Sequence, residues 1–335
     1  MKKILITVCI IILSYNLQAG RYAGDFMAIG SGVRALGMGG AYSAIADDGS
    51  AIYWNASGIS QIKEIEFTLM RAFLYEGLAY YDNFNMCYPL PNEVTLGFNW
   101  TRLTIDDVPI YSESHLVGTN IDQRAAFEEF QLTAIPDGKF KSTDDLFQFA
   151  FSKHFKQTVD LGWFLFDLPI DYYLGANFKY IRRKMMGYIG DGTGFDFSFM
   201  AKTNLGILTD VEWLGDISWS LNLQDISNTT LTWDVESRHK DEILFNTKLG
   251  LAYFQPINSL DSKLILAFSK DFIYEKIDYF GLAWQYKNFT ELRLGWYDQN
   301  FSTGIGIELY NIKLDYAFLT NNLGNTNRIG LGFKF

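Results

Sequence analysis

The chain has 335 residues, 17% of them aromatic, and a formal charge of −10. An acidic balance of this size speaks against a nucleic-acid-binding protein and against a basic membrane-surface protein. Mean hydropathy is near zero, yet beyond residue 19 no apolar run is long enough for a transmembrane helix.

Lys2 and Lys3 precede an apolar run from Ile4 to Leu13, and Leu17-Gln18-Ala19 puts a small residue before Gly20. That pattern predicts a secretory signal peptide over residues 1–19. Cys9 follows Val8 and so does not suit a lipoprotein signal. Removing the leader leaves 26 basic against 38 acidic residues and a single cysteine, Cys87, which excludes an intramolecular disulfide.

Residues 20–62 are dense in glycine and alanine, which permits close backbone approach. Asp47 or Asp48 can cap a short helical turn, and Asn55 and Gly58 can end it. A compact lumenal plug is the reading this supports, with Gly37, Gly39, Gly40, Asp47, Asp48, Trp54, Asn55 and Gly58 as its motif; a disordered leader is the bland alternative.

From residue 63 to 335 the sequence predicts strands near 64–72, 78–88, 93–102, 146–154, 170–183, 192–203, 217–224, 245–254 and 262–271. Five more close the chain, and they show the pattern most clearly. One register reads Phe280, Leu282, Trp284; Leu292, Leu294, Trp296; Thr303, Ile305, Ile307, Leu309; Ile312, Leu314, Tyr316; Ile329, Leu331, Phe333, with Thr303 its one polar member. The other reads Gly281, Ala283; Glu291, Arg293, Gly295; Gly304, Gly306; Lys313, Asp315; Gly330, Gly332. Side chains alternate across a strand, so one face is oily and the other polar or small. A soluble sandwich alternates too. Aromatics near strand ends, the charged inner face and the closing phenylalanine favour lipid outside. The expected fold is therefore all-β: a transmembrane antiparallel barrel of about fourteen strands.

Loop parity places the short turns at Lys287-Asn288, near Tyr310 and at Pro89–Asn92 in the periplasm. It places the longest connection, about 103–145, outside the cell. Connections near 155–169 and 204–216 are longer than inner turns usually are. A short run at Thr229–Trp233 is assigned to an outer loop. Within the long loop, Ala125–Leu132 can form an amphipathic turn presenting Phe127 and Phe130, with Tyr111, Leu116 and Val117 nearby. Such a patch would either capture a hydrophobic solute or pack on itself. Arg293 would meet a ligand carboxylate or pair with Glu291, Glu308 and Asp315.

The run GVRALGMGGAYSAIADDGSAIYWNASGI resembles the amino-terminal signature of the PorV/PorQ proteins, relatives of the long-chain fatty acid transporter (FadL-like) barrels. The segments ELRLGWYDQNFSTGIGIELYNIKLDYAF and LGNTNRIGLGFKF resemble that family's closing hairpins and strand, whereas residues 103–245 match poorly. The family's Asn-Pro-Ala-Gly is replaced here by Asn55-Ala56-Ser57-Gly58, so a proline-fixed turn is not implied. The resemblance implies an outer-membrane location and partnership with outer-membrane lipid. It also implies insertion by the barrel assembly machinery, which would read Leu331, Phe333 and Phe335.

Two roles follow from it. One is passive transport of hydrophobic or amphipathic molecules, gated by the plug, with a lipid-like ligand; the other is a secretion-system component that binds exported proteins. No cofactor is expected. Gly30-x-Gly32-x-x-Ala35 lacks the strand–turn–helix setting of a dinucleotide fingerprint. His115, His154 and His239 lack metal-ligand spacing. No catalytic triad signature is present, so no enzyme is expected.

Overall fold

The computed structural model describes residues 24–111, 136–160, 162, 167–226, 228–273, 276–287, 289–321 and 323–335. The signal-peptide reading and the Phe127/Phe130 capture patch, with Leu116 and Val117, lie outside them.

Among the described residues there are sixteen strands. They are β1 (Glu66–Leu74), β2 (Ala79–Leu90), β3 (Val94–Ile110), β4 (Gly138–Asp160), β5 (Asp167–Met185), β6 (Tyr188–Asn204), β7 (Asp216–Gln224) and β8 (Thr229–Trp233). The rest are β9 (Lys240–Ile243), β10 (Asn246–Ile257), β11 (Ser262–Asp271), β12 (Asp278–Tyr286), β13 (Thr290–Tyr297), β14 (Asn300–Leu309), β15 (Ile312–Leu319) and β16 (Thr326–Lys334). Fourteen of them close into an antiparallel ring. β1 pairs with β16 (Leu69 opposite Leu331), β6 pairs with both β5 and β7, and β7 runs beside β10. Closure leaves no free sheet edge, which is what allows strands to cross lipid. β8 and β9 form a hairpin that leaves the ring and pairs only with the end of β6.

The expected alternation holds around the ring. Phe149, Phe151, Phe178, Phe195, Phe197, Trp219, Leu251, Phe280, Leu294 and Trp296 face outward and are exposed to the membrane. Asn83, Asn99, Gln148, Asn177, Ser198, Ser220 and Arg293 face inward and are buried. We call the end where β1 begins and β16 stops the near rim, and the opposite end the far rim.

The outer loop expected over 103–145 is shorter than that. β3 continues to Ile110 and β4 starts at Gly138, so the wall rises well past the apolar band. Lys139–Asp107 (3.3 Å) and Lys141–Asp106 (3.1 Å) pair across this extension. Both of its faces are wet, so it lacks the alternation that marks a strand in lipid. At the near rim, the long 155–169 connection is mostly strand, since β4 reaches Asp160 and β5 resumes at Asp167. The 204–216 connection contains a helical turn, Leu205–Thr209, whose Ile207 N–H donates to Asn204 Oδ1. The Thr229–Trp233 segment is a strand, but it belongs to the hairpin above the ring.

Candidate functional site: the plug and its lumenal seat

Residues 24–62 fill the barrel lumen. The segment is a chain of short turns: helices Asp25–Ala28, Val33–Gly37 and Ala51–Trp54, and a 3-10 helix Ala56–Gln61. None is long enough to be stable alone, so the wall has to hold their shape.

It does so with polar side chains aimed at plug main chain. Asn177 Nδ2 donates to Ile52 O and Asn222 Nδ2 to Trp54 O, each at 2.7 Å. Ser198 Oγ accepts from Ser57 N–H (2.8 Å), and Ser152 Oγ donates to Ser57 O (2.6 Å). Ser302 Oγ donates to Gly37 O, and Arg328 donates to Gly30 O and Ile29 O, all at 3.2 Å. These wall residues come from β4, β5, β6, β7, β14 and β16, so the plug is gripped from opposite sides. Irregular backbone buried in a barrel needs such partners. An apolar core runs alongside, where Met38, Tyr42, Ile45, Ile52 and Ile59 pack with wall residues Tyr81, Phe254 and Ile265.

The motif residues lie within this contact. Gly39 adopts φ +67°, and it meets Gly295 so closely that a Cβ on Gly295 would lie 2.0 Å from Gly39 N. Two glycines are needed because two backbones touch there. Gly40 N–H donates to Ala35 O at 2.9 Å, closing the turn. Asp48 accepts from Ser50 N–H at 3.0 Å just before the Ala51–Trp54 turn. Asn55 ends that turn and caps the next, accepting from Ser57 N–H at 3.1 Å. Gly58 does not end the helix as expected. It sits inside the following 3-10 turn, where a Cβ would strike Ala46 O at 1.9 Å. Trp54 Nε1 donates to Ser31 O (2.6 Å), and Lys248 Nζ stands 5.0 Å from its ring.

The charge centre of the seat is Arg34. Its Nε donates to Glu291 Oε1 at 2.8 Å, its Nη1 to Tyr42 OH at 2.9 Å, and Nη1 also contacts Asp47. Glu291 accepts in turn from Arg293 Nε at 2.6 Å, and Arg293 Nη1 lies 2.6 Å from Asp315 Oδ1, an ion contact without hydrogen-bond geometry. Arg293 is fully buried, so the structure places this residue in the plug-anchoring network. Burial alone would raise the Asp47 carboxyl, but Arg34 beside it holds it below the ordinary aspartate range. Beneath the network, at the near rim, lies a cavity of about 190 Å³ lined by Arg34, Asp47, Glu66, Lys263, Lys313 and Lys334. Val33, Leu69 and Met70 share its lining with these charges.

Apolar lumenal surface gathers at the other end. Phe26 packs with Leu146 and Ile181 of the wall and with Leu231 and Ile243 of the hairpin above it. Buried Lys179 holds the hairpin's root, 2.8 Å from Asp196 and 2.7 Å from Asp225, and Thr229 Oγ1 donates to Asp225 Oδ1 at 2.7 Å. The sequence reading missed this triad. Lys179, flanked by Phe178 and Tyr180, was a signal in itself, since an inward lysine in a strand requires a carboxylate.

Of the other candidates, Tyr111 is exposed at the far rim, and Phe335 ends the chain at the near rim with its ring 5.9 Å from Phe67. Leu331 and Phe333 face lipid on β16, opposite Leu69 and Phe67. His154 lies between Glu93 (3.1 Å) and Asp171 (2.7 Å), and His239 contacts Asp241 (3.0 Å). No cluster suited to a metal is found among the described residues.

Closed ring, oily exterior, polar interior and an amino-terminal segment seated in the lumen define a plugged transmembrane β-barrel. No family model matches the chain, and no curated protein matches it. Several solved structures superpose on it to differing degrees. The Ralstonia pickettii toluene transporter TbuX superposes with a TM-score of 0.51 at 10% identity, over 91% of this chain and 98% of its own. The Pseudomonas putida toluene transporter TodX gives 0.48 at 12% identity, over 90% and 96%. A Pseudomonas aeruginosa FadL homologue gives 0.45 at 8% identity, over 91% and 98%. At such identities the likeness is one of fold.

Proposed function

We propose that the protein is a passive outer-membrane conduit for hydrophobic small molecules, with the near rim in the periplasm and the plug as its gate. The observation that carries this reading is the apolar cluster of Phe26, Leu146, Ile181, Leu231 and Ile243. All five are buried against one another just inside the far mouth, so the cluster is an apolar contact surface that a guest reaches by displacing one of them. Phe26 belongs to the plug itself, so a guest competing for that surface would loosen the plug's first turn. An apolar solute gains roughly 25 cal/mol for each Å² it buries there. The toluene of TbuX makes a monoaromatic the first solute to try.

Uptake of labelled toluene into proteoliposomes tests the reading. Wild-type protein should accelerate uptake over protein-free vesicles, and Ile181→Glu should abolish the gain while the barrel still resists unfolding in cold detergent. Equal uptake with and without protein sinks the proposal.

A further inference from the structure

On the outer face of β1–β6, one row of side chains alternates in sign across six neighbouring strands. The register sets Arg71 opposite Asp82, Asp82 opposite Arg102, Arg102 opposite Asp145, Asp145 opposite Arg182 and Arg182 opposite Asp191. The geometry repeats at each arginine. Arg71 Nε and Nη2 donate to Asp82 at 2.7 and 2.8 Å, Arg102 to Asp145 at 2.7 and 2.9 Å, and Arg182 to Asp191 at 2.8 and 3.3 Å. Each guanidinium also lies over a ring: Tyr80 at 5.8 Å, Trp100 at 5.1 Å and Tyr180 at 5.6 Å.

The position of the row gives it meaning. Below it, the outward residues of β5 run Tyr180, Phe178, Ala176, Leu174, Tyr172, Ile170 without a charge. That run spans about 33 Å along the strand, or about 25 Å along the axis at the usual tilt, the height of the apolar band of an outer-membrane barrel. Next to the row on its lipid side stand Leu69, Phe84, Trp100, Phe147 and Tyr180, a mostly aromatic girdle. The row therefore lies where hydrocarbon gives way to headgroups at the far interface.

Its exposed charge is mainly positive. The arginine side chains are 58%, 40% and 39% exposed, whereas Asp82 and Asp145 are 26% and 4% exposed; Asp191, which ends the row, is 41% exposed and matches its arginine. A guanidinium that gives its Nε–Nη2 edge to a carboxylate keeps its Nη1 hydrogens for another acceptor. The carboxylate and the ring fix its plane, and alternate strands set the three about 10 Å apart. We infer that this row is a binding surface for the phosphate-bearing headgroups of lipids in the far leaflet. Carboxylates hold the guanidinium groups in place, and the phosphates of a headgroup accept from their free Nη1 edges. This rests on the transmembrane fold and not on what passes through the lumen.

The full-length protein in mild detergent, titrated with bis-phosphorylated lipid A and with the same lipid enzymatically dephosphorylated, tests it by native mass spectrometry. The phosphorylated lipid should bind at least about tenfold tighter, the change expected from one hydrogen bond to a charged group. The triple variant Arg71→Gln, Arg102→Gln, Arg182→Gln should lose that preference, while Lys139→Gln with Lys141→Gln, on the wall above, should keep it. Equal binding of the two lipids by the wild-type protein, or an undiminished preference in the triple variant, overturns the inference. If the triple variant does not fold, Arg182→Gln alone replaces it, and the wild-type comparison already decides.

Discussion

Arg34 of the plug and Glu291 of β13 meet at 2.8 Å although 257 residues separate them, and the side chain of each is under a tenth exposed. Neither has water to fall back on. Removing Arg34 leaves Glu291 to Arg293 alone and takes the cation from Asp47, at a cost below the roughly 3–5 kcal/mol of a fully orphaned buried charge. Arg34→Met should therefore unseat the plug without opening the ring, because every ring strand keeps its ladder. Single-channel recording in planar bilayers should show conductance raised severalfold over wild type, and Arg34→Met with Glu291→Met should recover much of the closed state. A variant as silent as wild type would show that the hydrogen bonds donated by Asn177 and Asn222 and accepted by Ser198 suffice.

The contact of Gly39 with Gly295 makes a purely steric version of the same claim. Ala at 295 would put a methyl group 2.0 Å from Gly39 N, 2.3 Å from Met38 C and 2.4 Å from Ser302 Oγ. Overpacking of this kind costs about 1–3 kcal/mol, occasionally more. Gly295→Ala should raise protease sensitivity of the 24–62 segment, read by limited digestion in detergent. Gly138→Ala, whose new methyl would meet only Ile110 Cδ1 at 3.9 Å, should leave it unchanged.

These contacts also mark where sequence reading ends. Alternation alone announced strands, faces and a small inner register, since Gly304 and Gly306, and Gly330 and Gly332, stand two apart on the inward face, which Gly281 and Gly295 share. It could not say what the glycines make room for, because Gly39 approaches Gly295 across hundreds of residues. The motif around Trp54 and Asn55 was visible as a compact turn. Its partners Asn177 and Asn222 looked like any inward amide. The tall wall of β3 and β4 was read as loop because Asp106, Asp107, Lys139 and Lys141 break the apolar period, and only their pairing across strands makes them wall. The row from Arg71 to Asp191 was hidden for a similar reason: each charge is unremarkable in its own strand, and the row exists only in register.

Asp47 gives the plug a pH dependence whose sign follows from its neighbour. Arg34 holds its carboxyl below the ordinary value of 3.8 despite burial. A depressed carboxyl contributes stability that is fully present above its unfolded value and lost as pH falls through its folded one. The contribution of Asp47 to plug seating should therefore be level from neutrality down to about pH 4 and weaken only below that. The side chain is a third exposed, so solvent screening keeps the effect small. Bilayer conductance recorded as a function of pH checks it: Asp47→Asn should flatten any acid-side rise, and a rise near pH 6 would point to a different group.

Lys179 anchors the far end as Arg34 anchors the near one. Its Nζ joins Asp196 of β6 to Asp225 at the root of the β8–β9 hairpin, and Thr229 ties that aspartate to the hairpin itself. Lys179→Met leaves two buried carboxylates facing each other, so at least one must take up a proton or move to water. Moving Asp225 swings the hairpin, which carries Leu231 and Ile243 away from Phe26. Hydrogen–deuterium exchange should rise by an order of magnitude or more over residues 229–243, roughly the effect of losing 1.4 kcal/mol or more of local opening energy. The amides of β13 and β14, which touch neither the hairpin nor the triad, should exchange as in wild type. Unchanged protection over the hairpin would mean that its ladder with β6, from Gly190 opposite Trp233 to Thr193 opposite Thr230, holds it without the lysine. The apolar cluster at the far mouth would then be a fixed surface that no movement of the hairpin can uncover.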